Sequence, residues 1–221
     1  MFRLCSFPSR AALFAPLAAV LLVVPTAAHA DSDVRFQLQA NPKTLACFAK
    51  DPDDKDHQPV ADVRVEPGEL NDTLHLHVRN LKPHLAFDLF TVQRSNLGSD
   101  GKPDPDFKGS FGLAWYQTDV QANDAGEADV TIRTILLNQI FGFDPDVSLA
   151  PLNTFHVGFW FNNPADAAPC DPNPAQPIVT PFNGEHHAGP LAMISVPDAT
   201  TNLGPPCTHP NPSTSPATCN P

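Results

Sequence analysis

The chain has 221 residues and a formal net charge of −11, from 24 acidic and 13 basic side chains. Phosphate backbones and anionic lipid surfaces repel so acidic a chain, and its charge therefore argues against nucleic acid as a partner. Its 26 prolines interrupt the sequence too often for long helices.

Residues 1–30 have the pattern of a secretory signal peptide. Arg3 and Arg10 precede an apolar run over residues 11–24. The tripeptide AHA at 28–30 has the small residues after which a signal peptidase cuts. The run is shorter than the roughly 20 residues of a membrane-spanning helix, and no later run is long enough, so no membrane insertion is expected. Cleavage near Ala30 would leave residues 31–221 in the periplasm or outside the cell, with 11 basic against 24 acidic side chains, a net charge of −13.

Short segments in which apolar and polar residues alternate predict half-buried strands. The clearest covers residues 73–80, where leucines and a valine face one side and two histidines face the other. Residues 154–163 carry apolar residues on both faces, with Trp160 beside His156, and predict a strand that is buried on both sides. The other candidate strands, in chain order, are residues 34–39, 62–67, 86–93, 110–120, 127–133 and 191–196.

The rhythm of strands is broken once, at residues 133–143, whose apolar residues are spaced for a short helix. Short strands with frequent turns predict a mainly β fold, a single antiparallel β-sandwich of the immunoglobulin-like or jelly-roll-like kind, over residues 31–196. The helix would be an insertion in this domain. Residues 197–221 are rich in Pro, Thr, Ser and Asn and nearly without apolar side chains, so a disordered tail is expected, except where a disulfide holds it.

Four cysteines follow the predicted cleavage site, and Cys5 precedes it. In an exported chain four cysteines favour two disulfides, for which three pairings exist. We predict Cys207–Cys219, which would close the proline-rich tail on itself, and Cys47–Cys170, which would tie an early strand to a late loop. No two cysteines have the C-x-x-C spacing of a zinc ribbon or a redox pair.

Two groups of side chains are candidate metal ligands. His75 and His77 project from the same side of a predicted strand about 7 Å apart, a spacing at which two imidazoles can share one ion. Glu185, His186 and His187 follow one another in a turn-like segment, and they would complete a copper or zinc site if their loop folds over that face. The alternative is that all five are ordinary surface residues.

The sequence His75-Leu76-His77 locally resembles copper-zinc superoxide dismutase, in which an H-x-H strand supplies two copper ligands. The resemblance covers residues 73–80 alone, and the zinc-loop ligands and the bridging histidine of that family are not recognisable in the chain. The chain is therefore not assigned to that family.

No catalytic motif is recognisable. Ser110 lies in KGSFG, which lacks the G-x-S-x-G pattern of a nucleophile elbow, and GEHHAGP lacks the H-E-x-x-H pattern of a metalloprotease. The acidic loops at residues 50–59 and 96–107 do not match an EF-hand, and they are more typical of solvated turns than of calcium sites.

These observations favour an exported, acidic, non-enzymatic binding or accessory protein with an unidentified ligand or protein partner. The alternative is a secreted copper or zinc protein that uses the five candidate ligands.

Overall fold

The structure is a computed structural model that describes residues 33–137, 155–171, 173, 175, 179–180, 188–215 and 217–219. All of these residues belong to one unit of the chain, Asp31–Pro221. Among them no helix has the length and apolar character that a membrane crossing requires.

Eight strands form one antiparallel sheet. They are β1 (Val34–Ala40), β2 (Val60–Glu66), β3 (Asp72–Arg79), β4 (Ala86–Val92), β5 (Ala114–Gln121), β6 (Ala128–Thr134), β7 (His156–Phe161) and β8 (Leu191–Ser195). Their order across the sheet is β5-β4-β7-β8-β1-β2-β3-β6. The two edge strands, β5 and β6, are consecutive in the chain, and the sheet curls until it is nearly closed into a barrel.

The predicted mainly β, antiparallel fold is confirmed, and each of the candidate strands overlaps one of the observed strands. The two-layer sandwich is not confirmed, since all eight strands are neighbours in a single sheet. Alternation of apolar and polar residues identifies the buried face of each strand. It does not reveal whether the opposite wall of the core is a second sheet or the same sheet curling round.

The interior of the curled sheet holds the main hydrophobic core. Along β3 the side chains of Leu74, Leu76 and Val78 are buried, and His75 and His77 between them are partly exposed on the outer face, as the alternation predicts. Four phenylalanines meet edge-on or tilted in this core, at ring-centroid distances of 5.0 to 6.4 Å. Burying one such side chain contributes about 1.5–3 kcal/mol relative to leaving it exposed.

Strands β4, β7 and β8 are buried on nearly their whole length, on both faces. Their outer face forms a second apolar cluster, which includes Trp160 of β7 and Ile194 of β8. The connection from β4 to β5, residues 93–113, adds Leu97 and Phe111 to this cluster, and Phe111 packs edge-on against Trp160 at 5.1 Å. The prediction that the strand carrying Trp160 is buried on both sides is confirmed.

The predicted helix over residues 133–143 is not formed in its described part. Strand β6 continues to Thr134, and the backbone N–H groups of Leu136 and Leu137 then donate to the Asp72 carboxylate at 2.9 and 2.8 Å. Because the Asp72 carboxylate accepts hydrogen bonds from both N–H groups, it holds the chain on a non-helical path. Leu136 is buried in the main core. Residues 138–143, the remainder of the predicted helix, lie outside the described residues.

Outside the large sheet the elements are short. Within the described residues they are one α-helix, α1 (Leu45–Phe48), two 3₁₀ helices (Lys55–His57 and Pro164–Cys170), and a small sheet of β9 (Pro210–Asn211) and β10 (Thr218–Cys219). Both predicted disulfides are confirmed: Cys47–Cys170 joins α1 to the second 3₁₀ helix, and Cys207–Cys219 closes the tail across β9 and β10. In the chain-entropy account the two cross-links, which span 123 and 12 residues, stabilise the fold by about 5 and about 3 kcal/mol.

The expected disorder of the tail does not hold for its described residues. The Asp198 carboxylate accepts the backbone N–H groups of Thr200 and Thr201 at 3.0 and 2.8 Å and so closes a turn. Leu203, directly after this turn, is buried. The tail is too polar to form a hydrophobic core of its own. It is ordered without such a core because it packs against the sheet.

Candidate functional site

The strand histidines, His75 and His77, are on the outer face of β3, with side chains 38% and 43% exposed. The Nδ1 atom of His75 lies 3.1 Å from the hydroxyl of Thr131, and that of His77 lies 2.8 Å from the carboxylate of Asp129, both on β6. The Nε2 atom of His75 is 3.6 Å from the carboxylate of Glu66 on β2. Side chains of the neighbouring strands therefore orient both rings.

The other half of the predicted copper or zinc site, Glu185, His186 and His187, lies outside the described residues. In the part of the chain that the structure describes, no three histidine, cysteine, aspartate or glutamate side chains are grouped closely enough to hold a metal ion. The five-residue site thus stays a prediction.

The acidic loops use their carboxylates to close turns. Asp54 accepts the backbone N–H of Asp56 at 2.9 Å and pairs with His57 at 2.7 Å. Asp100 accepts the backbone N–H of Lys102 at 3.0 Å and pairs with its ammonium group at 2.8 Å. The hydrogen bonds from His57 and Lys102 lower the pKa values of Asp54 and Asp100. These contacts agree with solvated turns.

A cavity of about 280 Å³ lies between the β4–β5 connection and the C-terminal segment. His156 lines it, together with Arg94, Asp104 and Phe107 from the connection and Asn202 from the C-terminal segment. We call this cavity the imidazole pocket. Its volume is just below the range for ligand pockets, about 300–1,000 Å³.

His156 is the buried titratable group of the imidazole pocket, and only 3% of it is exposed. Its Nδ1 atom lies 3.0 Å from the backbone carbonyl oxygen of Ser195 on β8. Because a carbonyl oxygen can only accept, Nδ1 carries the ring proton and Nε2 carries a lone pair. Burial lowers the pKa of His156 to about 4, so the ring is neutral at pH 7. With Nδ1 turned towards β8, Nε2 is the nitrogen left for the pocket.

The contact between His156 and Ser195 is structural rather than nucleophilic. The Oγ atom of Ser195 lies 3.1 Å from Nδ1 of His156, but Nδ1 is a donor and has no lone pair with which to take a proton. Ser195 is fully buried, does not line the pocket, and accepts the backbone N–H of Val157 at 3.2 Å. This pair therefore fixes the ring of His156 and does not activate a serine.

Charged side chains of both signs line the imidazole pocket. Arg94 supplies a guanidinium group, for which no ion pair is found among the described residues. Asp104 and Asp106 supply carboxylates, and Oδ1 of Asp104 accepts the backbone N–H of Asp106 at 2.9 Å. The pocket can therefore contact both donors and acceptors of a ligand.

A larger cavity, of about 710 Å³, lies between β1 and the C-terminal segment. Residues 34–37 of β1 form one wall, and Pro197, Asp198 and Leu203 belong to the other. We call this cavity the β1 cleft. Pro197 lines both the β1 cleft and the imidazole pocket, so the C-terminal segment separates the two cavities.

The position of this segment depends on Gly204. A Cβ atom at Gly204 would overlap the backbone carbonyl oxygen of Phe155 and would lie 3.2 Å from the ring of His156. Only a glycine lets the chain approach the start of β7 this closely. Gly204 therefore holds the segment against the wall of the imidazole pocket.

The sequence did not predict either cavity as a site. The sequence correctly placed His156 in a strand that is buried on both faces. A buried polar group needs a hydrogen-bond partner, and this need was the one signal of the site that the sequence contained. That signal does not say which ring nitrogen is engaged. Arg94, Asp104 and Asn202 come from distant parts of the chain, and only the fold brings them to His156.

No protein-family model matches the chain, and no curated protein matches its sequence. A functional conclusion therefore depends on the residues of the chain itself.

Proposed function

We propose that the chain is an exported, non-enzymatic binding protein that takes a small ligand in the imidazole pocket. The observation that carries this proposal is the buried, neutral ring of His156, whose Nδ1 donates to Ser195 and whose Nε2 is left as an acceptor. Nε2 of His156 is not among the buried atoms that lack a partner, so water reaches it in the free pocket. A ligand that brings an O–H or N–H donor would replace this water and donate to Nε2.

The rest of the lining narrows the ligand further. Arg94 favours a ligand with a hydroxyl or carboxylate group, and Asp104 favours one with a hydroxyl or amino group. Phe107 adds an apolar surface. A compact molecule with hydroxyl or amino groups, such as a polyol, an amino alcohol or an amino acid, meets these conditions.

Export is supported by the cysteines and by the N-terminal pattern. All four cysteines beyond residue 30 are paired in disulfides, and such bonds persist in oxidising compartments such as the periplasm and the extracellular space. The signal-peptide pattern of residues 1–30 points to the same destination.

The proposal is tested by nitrogen-15 NMR of the histidine rings with glycerol, ethanolamine and glycine as probes. At least one probe should shift the Nε2 resonance of His156, and His156→Asn should abolish its binding. Asparagine is a suitable change because its amide nitrogen can still donate to Ser195 while the Nε2 acceptor is lost. The matched control is His84→Asn, a histidine whose side chain is 72% exposed. Binding that survives in His156→Asn, or no response at His156 to any probe, would contradict the proposal.

A second candidate function is the binding of copper or zinc by His75, His77, Glu185, His186 and His187. The observation that favours it is the hydrogen bond between Nδ1 of each strand histidine and a side chain of β6. Metal-binding histidines commonly make such a bond with the nitrogen that does not bind the metal.

Melting temperatures at pH 7.5 with equimolar copper or zinc test this second function. Metal bound to the folded state alone should raise the melting temperature, and the double change His75→Ala with His77→Ala should abolish the rise. The pair His186→Ala with His187→Ala should weaken it. A wild-type protein that does not respond to either metal would exclude this function.

A further inference from the structure

Strand β1 is internal to the sheet, yet it is paired on both sides along only part of its length. On one side β2 pairs with Val34 to Leu38. On the other side β8 pairs with Leu38 to Ala40 only. In the described part of the chain no strand pairs with residues 34–37 on the β8 side, so β1 has an open edge that faces the β1 cleft.

The groups on this edge follow from the alternation of the backbone. In an antiparallel strand the N–H and C=O groups of successive residues point to opposite neighbours. The N–H of Asn41 donates to Ala192 at 2.8 Å, so the odd-numbered positions of this strand point towards β8. By the same alternation the N–H and C=O groups of Arg35 and the N–H of Gln37 point into the β1 cleft, and those of Phe36 point to β2. The C=O of Gln37 is turned to the N–H of Val196, because Leu38 and Ser195 form a non-hydrogen-bonded pair between two bonded positions.

The C-terminal segment does not occupy this edge beyond the C=O of Gln37. Extending the register in which Gln39 faces Ile194 would pair Gln37 with Val196 and Arg35 with Asp198. Strand β8 ends at Ser195, and the backbone N–H of Asp198 instead donates to Leu203 at 2.9 Å within the turn. The chain thus leaves β1 just where the ladder would have continued.

We propose that the β1 cleft binds an extended peptide of another protein, which adds as a strand beside Arg35 and Gln37. A second backbone supplies donors and acceptors at the spacing of these groups, which is the basis of strand addition in peptide recognition. The cleft, at about 710 Å³, has the volume of a ligand site. The site is separate from the imidazole pocket and does not depend on a ligand there.

The walls of the β1 cleft define the side chains of the peptide. Val34 and Phe36 are partly buried and pack against the main core, so the inward positions of the peptide are apolar. The outward positions lie beside Arg35 and Gln37, which are exposed. The peptide therefore alternates apolar and polar residues.

Charge favours a basic peptide. The guanidinium group of Arg35 already pairs with Asp33 at 3.0 Å. Asp198 on the opposite wall is held ionised, because hydrogen bonds from Thr201 and Thr200 lower the pKa of its carboxyl group. The chain as a whole carries a net charge of −11, which attracts a cationic partner. Lysine or arginine is expected at the polar positions of the peptide.

Amide hydrogen exchange in the free protein tests the open edge. The amides of Arg35 and Gln37 should exchange more than about tenfold faster than those of Phe36 and Gln39, which are bonded to β2 and β8. Gln39 is the matched control, because its N–H points to the same side as that of Gln37. Protection of Arg35 and Gln37 equal to that of Gln39 would overturn the proposal. So would protection that arises from a dimer, since the occupant would then be a second copy of this chain.

A displayed library of random heptapeptides tests the occupant. Selected peptides should alternate apolar and basic residues, bind the wild type, and slow the exchange of the Arg35 and Gln37 amides. On the backbone Gln37→Pro removes a single cleft-facing donor and leaves the ladder to β2 intact, and it should weaken binding more than about tenfold. Gln37→Ala, which loses the same side chain, should bind as the wild type does.

Melting curves show whether each variant is folded. If Gln37→Pro does not fold, Arg35→Pro takes its place in the test. A library that yields no binder would overturn the proposal, as would peptides that bind Gln37→Pro or Arg35→Pro as tightly as the wild type.

Discussion

Acidification from pH 7 to pH 4 should destabilise the protein through His156. Burial lowers the pKa of this histidine to about 4 in the folded state, against its ordinary value of 6.5 in the unfolded chain. Between these values the unfolded chain binds a proton that the folded chain does not, so the free energy of unfolding falls as the pH falls. A difference of about 2.5 pKa units corresponds to about 3 kcal/mol. This stability is fully present above pH 6.5 and is lost as the pH approaches 4.

Urea denaturation of the wild type and of His156→Asn at pH 7, 6, 5 and 4 measures this contribution. The asparagine amide can donate to Ser195 but does not titrate, while all other titrating groups are common to both proteins. Between pH 7 and pH 4 the wild type should therefore lose about 3 kcal/mol more of its free energy of unfolding than the variant loses. Parallel pH profiles would refute the buried neutral ring, and with it the lone pair on which the imidazole pocket depends.

Three further predictions concern packing and cross-links. Leu76→Ala should lower the free energy of unfolding by about 2–5 kcal/mol, because its side chain is buried, whereas His77→Ala should lower it by less than about 1 kcal/mol; equal losses in urea denaturation would contradict the alternation along β3. Gly204→Ala should lower the melting temperature in calorimetry and perturb the His156 ring in NMR, because its Cβ would overlap a backbone carbonyl oxygen; an unchanged protein would show that the C-terminal segment has room to move. Replacing Cys207 and Cys219 together by serine should lower the free energy of unfolding by about 3 kcal/mol, and non-reducing peptide mapping that finds either cysteine linked elsewhere would contradict the pairing.

The strands could be predicted from the sequence because their signal is local. Each apolar residue of β3 lies two positions from the next, and that period alone decides which face is buried. The curling of the sheet is not local. It depends on the pairing of β1 with β8, more than 150 residues apart at Leu38 and Ser195, and no period within a strand encodes that partner.

The predicted helix illustrates a tertiary contact that overrides a local pattern. Apolar spacing favoured a helix after β6, but the Asp72 carboxylate, 64 residues earlier, accepts the N–H of Leu136. The candidate site was hidden for a similar reason. Buried His156 could be predicted from its strand, whereas the direction of its Nδ1–H depends on Ser195, 39 residues later in the chain and beside it in the sheet.

The strand order has a consequence for how the chain folds during synthesis. Strands β7 and β8 are the last of the eight to be made, yet they lie in the middle of the sheet, between β4 and β1. Until residue 195 has been made, the chain can form a sheet of β1, β2, β3 and β6 and a hairpin of β4 and β5. Without β7 and β8 between them, these two pieces cannot be joined through β4 and β1. The edges of β1 and β4 that face each other therefore stay unpaired. Such edges recruit other strands and lead to aggregation. The native sheet therefore forms only after β8 has been made, and a chain truncated before β7 should aggregate rather than form a smaller stable domain.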